Sequence, residues 1–169
     1  GGLGDWAGHV PEGMLKRGIR VLPITIGYSK HWQTGQTIDY GNVPGSHFLF
    51  NLDFDIHFQK KTVPVFAIDR GGAQTYLIND QDSGILYPGA DNESLMQSAQ
   101  FGKAAQALLK RLNEKPEIFW YQEWRAACTT MPSILDDPYF PATTKHLYTM
   151  HTSIRDALPT FPESWFDGL

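Results

Sequence analysis

The stretch Glu93–Tyr121, ESLMQSAQFGKAAQALLKRLNEKPEIFWY, decides the fold class. Leu95, Ala99, Gly102, Ala105, Leu109 and Leu112 recur at a three-to-four spacing, which is one stripe of a helix running to about Asn113. Lys110 and Arg111 suit its C-terminal dipole, and Asp91 or Asn92 is the expected N-cap. Pro116 follows, and Ile118–Tyr121 is then a short apolar run that reads as a strand. A helix passing through a short connection into an apolar strand is the repeating step of an α/β sheet.

The same alternation extends outward. Downstream, Trp124–Met131 reads as a helix stopped by Pro132, His146–Met150 as a strand, and the rest as a Pro- and aromatic-rich tail. Upstream, Phe48, Phe50, Leu52, Phe54, Ile56 and Phe58 alternate with other residues, which predicts a strand with one apolar face. Lys60-Lys61 is the expected turn into a second strand, Val63–Asp69, making a hairpin. Arg70–Asn92 holds Gly71-Gly72, an Asp/Ser/Gly cluster and Pro88-Gly89, and reads as one long loop. Tyr28–His47 has no clear period and also reads as loop.

Nearer the start, Ile19–Gly27 is a largely apolar run that reads as a buried strand, with Pro23 facing away from a partner. Gly4–Arg17 carries Trp6, Val10 and Met14 at helical spacing, with Gly18 as the stop. Pro11 inside it predicts an early turn or a kink. The expected fold is α/β in one domain, 1–169. It is Rossmann-like, with a mainly parallel sheet, helices on both faces and a β-hairpin insertion.

Composition removes several classes of function. The chain has 169 residues, 41% hydrophobic and 19% charged, which is the balance of a globular domain rather than a disordered chain. The net charge is -4 and no Lys/Arg run exceeds two residues, so no nucleic-acid partner is expected. No stretch is apolar enough to span a membrane. Cys128 is the single cysteine, which excludes an internal disulfide and fits a reducing, cytoplasmic setting. His9, His31, His47, His57 and His146 show no metal-ligand spacing. Aromatic residues reach 13%, with five Trp, a content that serves core, interface or sugar-stacking surface.

Gly1-Gly2-Leu3-Gly4-Asp5, then Val10-Pro11, Lys16-Arg17-Gly18 and Arg20-Val21, closely resembles the opening of bacterial glycogen synthases and plant starch synthases. Further segments follow in that family's order. Tyr87 with Asp91-Asn92 resembles its Tyr-x-Asp-Asn segment, Ile118–Thr129 the stretch carrying Asp-Trp-His-Thr, and Leu147–Thr152 the strand ending Ile-His-Asn. The resemblance implies one half of a GT-B retaining glycosyltransferase, the N-terminal acceptor side. Its first strand and its C-terminal nucleotide-sugar domain are expected to lie outside this sequence. It implies transfer of glucose from ADP- or UDP-glucose to the non-reducing end of an α-1,4-glucan, without a metal ion or other cofactor. The isolated chain is expected to bind glucan weakly and to be inactive.

The resemblance also implies a site. Gly1, Gly2 and Gly4 would aim backbone amides at the donor phosphates, a task suited to a helix N-terminus. Asp5 would hydrogen-bond a sugar hydroxyl in the cleft, His151 the transferred glucose or its phosphate, and Glu123 glucose or acceptor hydroxyls. Glu123-Trp124-Arg125 departs from the family's Asp-Trp-His, because the acid gains a methylene and the imidazole becomes a guanidinium. Arg125 would then meet phosphate or stack on sugar. Trp124, and Trp6 where the family favours Val, read as core. These replacements keep open a non-catalytic glucan-binding or regulatory domain of the same fold. The glycines alone also admit a dinucleotide-binding α/β domain, although they read Gly-Gly-x-Gly rather than Gly-x-Gly-x-x-Gly.

Overall fold

The computed structural model describes residues 2–31, 33–81 and 91–151, and the side chains of all of these except 2–6, 70, 91–94 and 124. Its contacts divide it into two compact units, Gly1–Asn51 with Val63–Leu86, and Leu52–Thr62 with Tyr87–Leu169.

The first unit opens with helix α1, Gly2–Leu15. It closes as a Schellman motif, with Gly18 N–H bonded to the Leu15 carbonyl and Ile19 N–H to that of Met14. Gly18 takes φ +77°, a conformation that glycine adopts without a Cβ clash. Pro11 lies inside the helix, well past its early turns. Strand β1 is only Ile24–Ile26, shorter than the expected Ile19–Gly27. Pro23 has no N–H to give, and its carbonyl instead accepts from Tyr76.

Strands β2 (Ser46–Ile56) and β3 (Gln59–Arg70) make the expected hairpin, but its turn is at His57-Phe58 rather than at the two lysines. Both turn residues have positive φ, 49° and 61°, the two-residue geometry that matches strand twist. Phe58 consequently leaves the apolar face and is fully exposed at the tip, while Leu52, Phe54 and Ile56 are buried.

The expected long loop contains a strand, β4, Ala73–Ile78. Gly71 and Gly72, both at positive φ, turn β3 straight into it. β4 pairs antiparallel with β3 and parallel with β1, in the order β1-β4-β3-β2. It lies inside the sheet, and Tyr76, Leu77 and Ile78 are buried in succession beside Val65 and Ala67 of β3.

The second unit holds α2 (Asp91–Arg111), β5 (Ile118–Gln122), α3 (Glu123–Leu135) and β6 (Lys145–Thr149). β5 and β6 pair in parallel. α3 packs on both strands, and α2 packs on α3. Leu95, Ala99, Leu108 and Leu109 of α2 are buried together with Ile134, Tyr121 and Phe140. Each large apolar side chain so buried contributes about 1.5–3 kcal/mol. α2 also ends on a Schellman motif, with Asn113 at φ 55° supplying the left-handed residue. α3 continues through Pro132 instead of stopping there, because packing against α2 outweighs the one backbone bond that proline cannot donate.

The α/β class holds, with parallel pairing at β1/β4 and β5/β6 and antiparallel pairing along the hairpin and the turn that follows it. Among the described residues no helix is long and apolar enough to cross a membrane.

Candidate functional site

Because β5 and β6 are parallel, both strands end on the same edge of the ladder, with Gln122 opposite Thr149. The carboxyl ends of parallel strands are where open α/β sheets place ligands. Here β5 passes directly into α3, so the edge also receives a helix N-terminus, whose dipole favours an acid such as Glu123. Glu123 sits at φ +67°, the left-handed region that a non-glycine residue occupies only at a cost of about 1–3 kcal/mol. Such strain persists where surrounding contacts enforce it.

The contacts that do so converge on His151. Its backbone N–H donates to Glu123 Oε1 at 2.8 Å. Its ring Nε2 lies 2.9 Å from Gln122 Oε1. Two residues back, Thr149 Oγ1 accepts from Trp120 Nε1 at 2.7 Å. The end of β6 is thereby fastened to the end of β5 by side chains as well as by the ladder. On the neighbouring side, partial burial and the negative charge of Glu123 push the Tyr148 phenol up.

Arg125 lies in the first turn of α3, half-buried, and its carbonyl accepts from Thr129 Oγ1 at 2.8 Å. The same hydroxyl lies 2.8 Å from the Ser98 carbonyl of α2, so the first turn of α3 is braced from behind. Cys128 is half-buried, and burial pushes its thiol up, so it is less of a nucleophile than a free cysteine. Below the site, Tyr121 Oη bonds His146 Nδ1 at 2.9 Å, with Phe119 stacked on both rings. Burial pushes the Tyr121 phenol well above its ordinary range, which suits a packing and hydrogen-bonding role.

Of the residues expected to form a site, the structure therefore brings Glu123 and His151 into direct contact and places Arg125 in the adjoining helical turn. Gly2 and Gly4 belong to the other unit, in the first turn of α1 rather than in a loop ahead of it. First-turn amides have no acceptor within their own helix. Asp5 is also in α1, its side chain outside the described atoms, and Gly1 lies outside the described residues. Gln122 is the residue that sequence reasoning missed. Its one signal is position, since it is the first polar residue after the apolar run of β5. Among the described residues no three His, Cys, Asp or Glu side chains are grouped as a metal site would need.

The starch synthase catalytic domain family matches residues 1–167. No curated protein sequence is similar enough to match. Among solved structures, the catalytic domain of starch synthase IV from Arabidopsis thaliana, bound to ADP and acarbose, matches with a TM-score of 0.69 at 19% identity. The match covers 89% of this chain and 30% of that one, so the chain corresponds to under a third of that structure. With nearly every residue inside the match and the same half-fold recovered, this chain belongs to the starch synthase catalytic domain family.

Proposed function

We propose that the chain forms the acceptor-side half of a hexosyltransferase that moves glucose from ADP- or UDP-glucose to the non-reducing end of an α-1,4-glucan with retention. The observation that supports this most is the Glu123–His151 contact at the carboxyl ends of two parallel strands. Family membership and the ADP and acarbose bound to the matched starch synthase IV domain support these ligand classes.

In this reading His151 hydrogen-bonds the transferred glucose or its phosphate, and Glu123 holds the backbone that carries it and meets a glucose or acceptor hydroxyl. The work is positioning of an oxocarbenium-like transition state rather than covalent catalysis. Charge developing on the leaving phosphate is met by Arg125, following the logic of preorganised donors. Asp5 takes a further sugar hydroxyl. The donor nucleotide is held by a second domain, and the reaction proceeds without a metal ion or other cofactor.

Titration calorimetry tests this. The 169-residue chain is expected to bind maltoheptaose weakly and His151→Ala to bind it still more weakly. In an enzyme containing both domains, His151→Ala is expected to reduce glucosyl transfer by 100-fold or more (about 3 kcal/mol), with EDTA leaving the parent activity intact. Undiminished transfer in that variant would remove the proposed role of the site. A second reading, a glucan-binding domain without transfer, is favoured by Glu123 spending one oxygen on a backbone N–H. It predicts maltoheptaose binding with no heat from either nucleotide-sugar in the two-domain protein.

A further inference from the structure

The indole of Trp120 commits one side of a neighbouring hydroxyl and leaves the other side to be used. Trp120 Nε1 lies 2.7 Å from Thr149 Oγ1. An indole nitrogen can only donate, whereas a threonine hydroxyl both accepts and donates. The direction of this bond is therefore fixed, with Thr149 accepting and its own hydrogen left over. Among the described residues no group accepts that hydrogen, because the bond from Trp120 is the one side-chain hydrogen bond that Thr149 makes. Thr149 is half-buried rather than closed off. A hydroxyl that already accepts a bond is also the stronger donor, since linked hydrogen bonds polarise one another.

Position joins this hydrogen to the site. Thr149 is the last residue of β6 and lies in register with Gln122, the last of β5, so the two side chains leave the same face of the ladder. Trp120, two residues before Gln122, shares that face. Gln122 in turn meets the His151 ring at 2.9 Å, which gathers hydroxyl, amide and imidazole at the carboxyl ends of two parallel strands. We propose that Thr149 is a ligand-contacting residue that donates its hydroxyl hydrogen to an oxygen of the bound substrate, and that Trp120 is the positioning residue that aims it. The acceptor is a sugar hydroxyl oxygen or a phosphate oxygen, the two groups assigned above to His151. This rests on the reading of that strand edge as the glucose site and adds to it a neutral donor.

Titrations of the full 169-residue chain with maltoheptaose and, separately, with inorganic pyrophosphate test it, followed by ¹H–¹⁵N spectra that also report folding. Thr149→Val keeps the side-chain shape and removes the hydroxyl. It is expected to weaken whichever probe the parent binds by about 2- to 10-fold, the worth of one hydrogen bond. Thr149→Ser, which keeps the hydroxyl, is expected to bind nearly as the parent does. Trp120→Phe removes the aiming N–H, so it should weaken binding in the parent and add nothing in Thr149→Val, whereas a merely structural tryptophan would cost affinity equally in both backgrounds. If Thr149→Val does not fold, Thr149→Ala makes the same comparison. Binding unchanged in Thr149→Val, or weakened as much in Thr149→Ser, would overturn the proposal, as would a parent that binds neither probe. Pyrophosphate binding that depends on the residue 149 hydroxyl, in a chain blind to maltoheptaose, keeps this inference and removes the glucan reading. Maltoheptaose binding indifferent to residue 149 does the reverse.

Discussion

Glu123 concentrates one cost and two gains at a single residue. It takes a left-handed φ of 67°, it opens helix α3, and its carboxylate anchors the His151 backbone. Replacement by Ala removes the anchor and keeps the strain, so we expect a loss of about 1–2 kcal/mol. Replacement by Gly also removes the anchor but relieves the φ, recovering about 1 kcal/mol of that loss. At an ordinary helical position glycine is the worse residue by about 1 kcal/mol. Thermal melts of Glu123→Ala and Glu123→Gly therefore test the geometry through their order: glycine should melt higher. An alanine variant that melts higher would mean that the left-handed conformation is not held in solution.

At the scale of elements, the crossing of α2 and α3 sets where the site stands. A Cβ on Gly102 would lie 3.0 Å from the Thr129 backbone, so glycine is what permits this close approach. Gly102→Ala, which raises helix propensity, should nonetheless destabilise by about 1–3 kcal/mol through overpacking. Urea denaturation measures this, and a stabilised variant would contradict the packing. The same crossing carries a buried acid. Asp137 accepts from Gln106 Nε2 and from the Tyr139 N–H, and it pairs with Lys110. Burial opposes its ionisation, but the bonds from Lys110, Tyr139 and Gln106 prevail and hold the carboxyl below its usual range. A depressed carboxyl contributes stability above its unfolded pKa, near 4, and loses it as pH falls through the lower folded value. Asp137→Asn should thus cost about 2 kcal/mol at pH 7, with the gap to the parent closing as pH falls below the unfolded carboxyl value. A gap independent of pH would assign the loss to packing instead.

These elements also show what the sequence made legible. The stripe of α2 and the alternation of β2 from Leu52 to Ile56 report one-sided burial, whereas Phe48, on the same expected face, is exposed. β4 escaped because Gly71-Gly72 and the polar cluster after Ile78 resemble loop. Its last three residues are buried in a row, so no alternation marks it. The hairpin turn was displaced because His57 and Phe58 carry no glycine or asparagine to signal positive φ. Glu123, Arg125 and His151 were found by family resemblance, and their own spacing would not have joined them across 28 residues. Gln122 belongs to no motif and becomes visible only when parallel register brings it level with the end of β6.

At the scale of the whole molecule, the residues expected from the family resemblance are drawn from both compact units. Glu123, Arg125 and His151 belong to one unit, while Gly2, Gly4 and Asp5 belong to the other. The chain corresponds to 30% of the matched starch synthase IV structure, which is bound to both ADP and acarbose. If the division of labour proposed above is right, glucan affinity and turnover separate when only this portion is present. The 169-residue chain should bind maltoheptaose with a Kd in the millimolar range, about -4 kcal/mol. It should release no ADP from ADP-glucose above the rate of its His151→Ala variant. Weak-affinity chromatography on immobilised glucan and a coupled ADP assay measure the two quantities on one preparation. Robust, His151-dependent turnover by this chain alone would show that its own residues hold the donor nucleotide, and the assignment of that task to a second domain would fall.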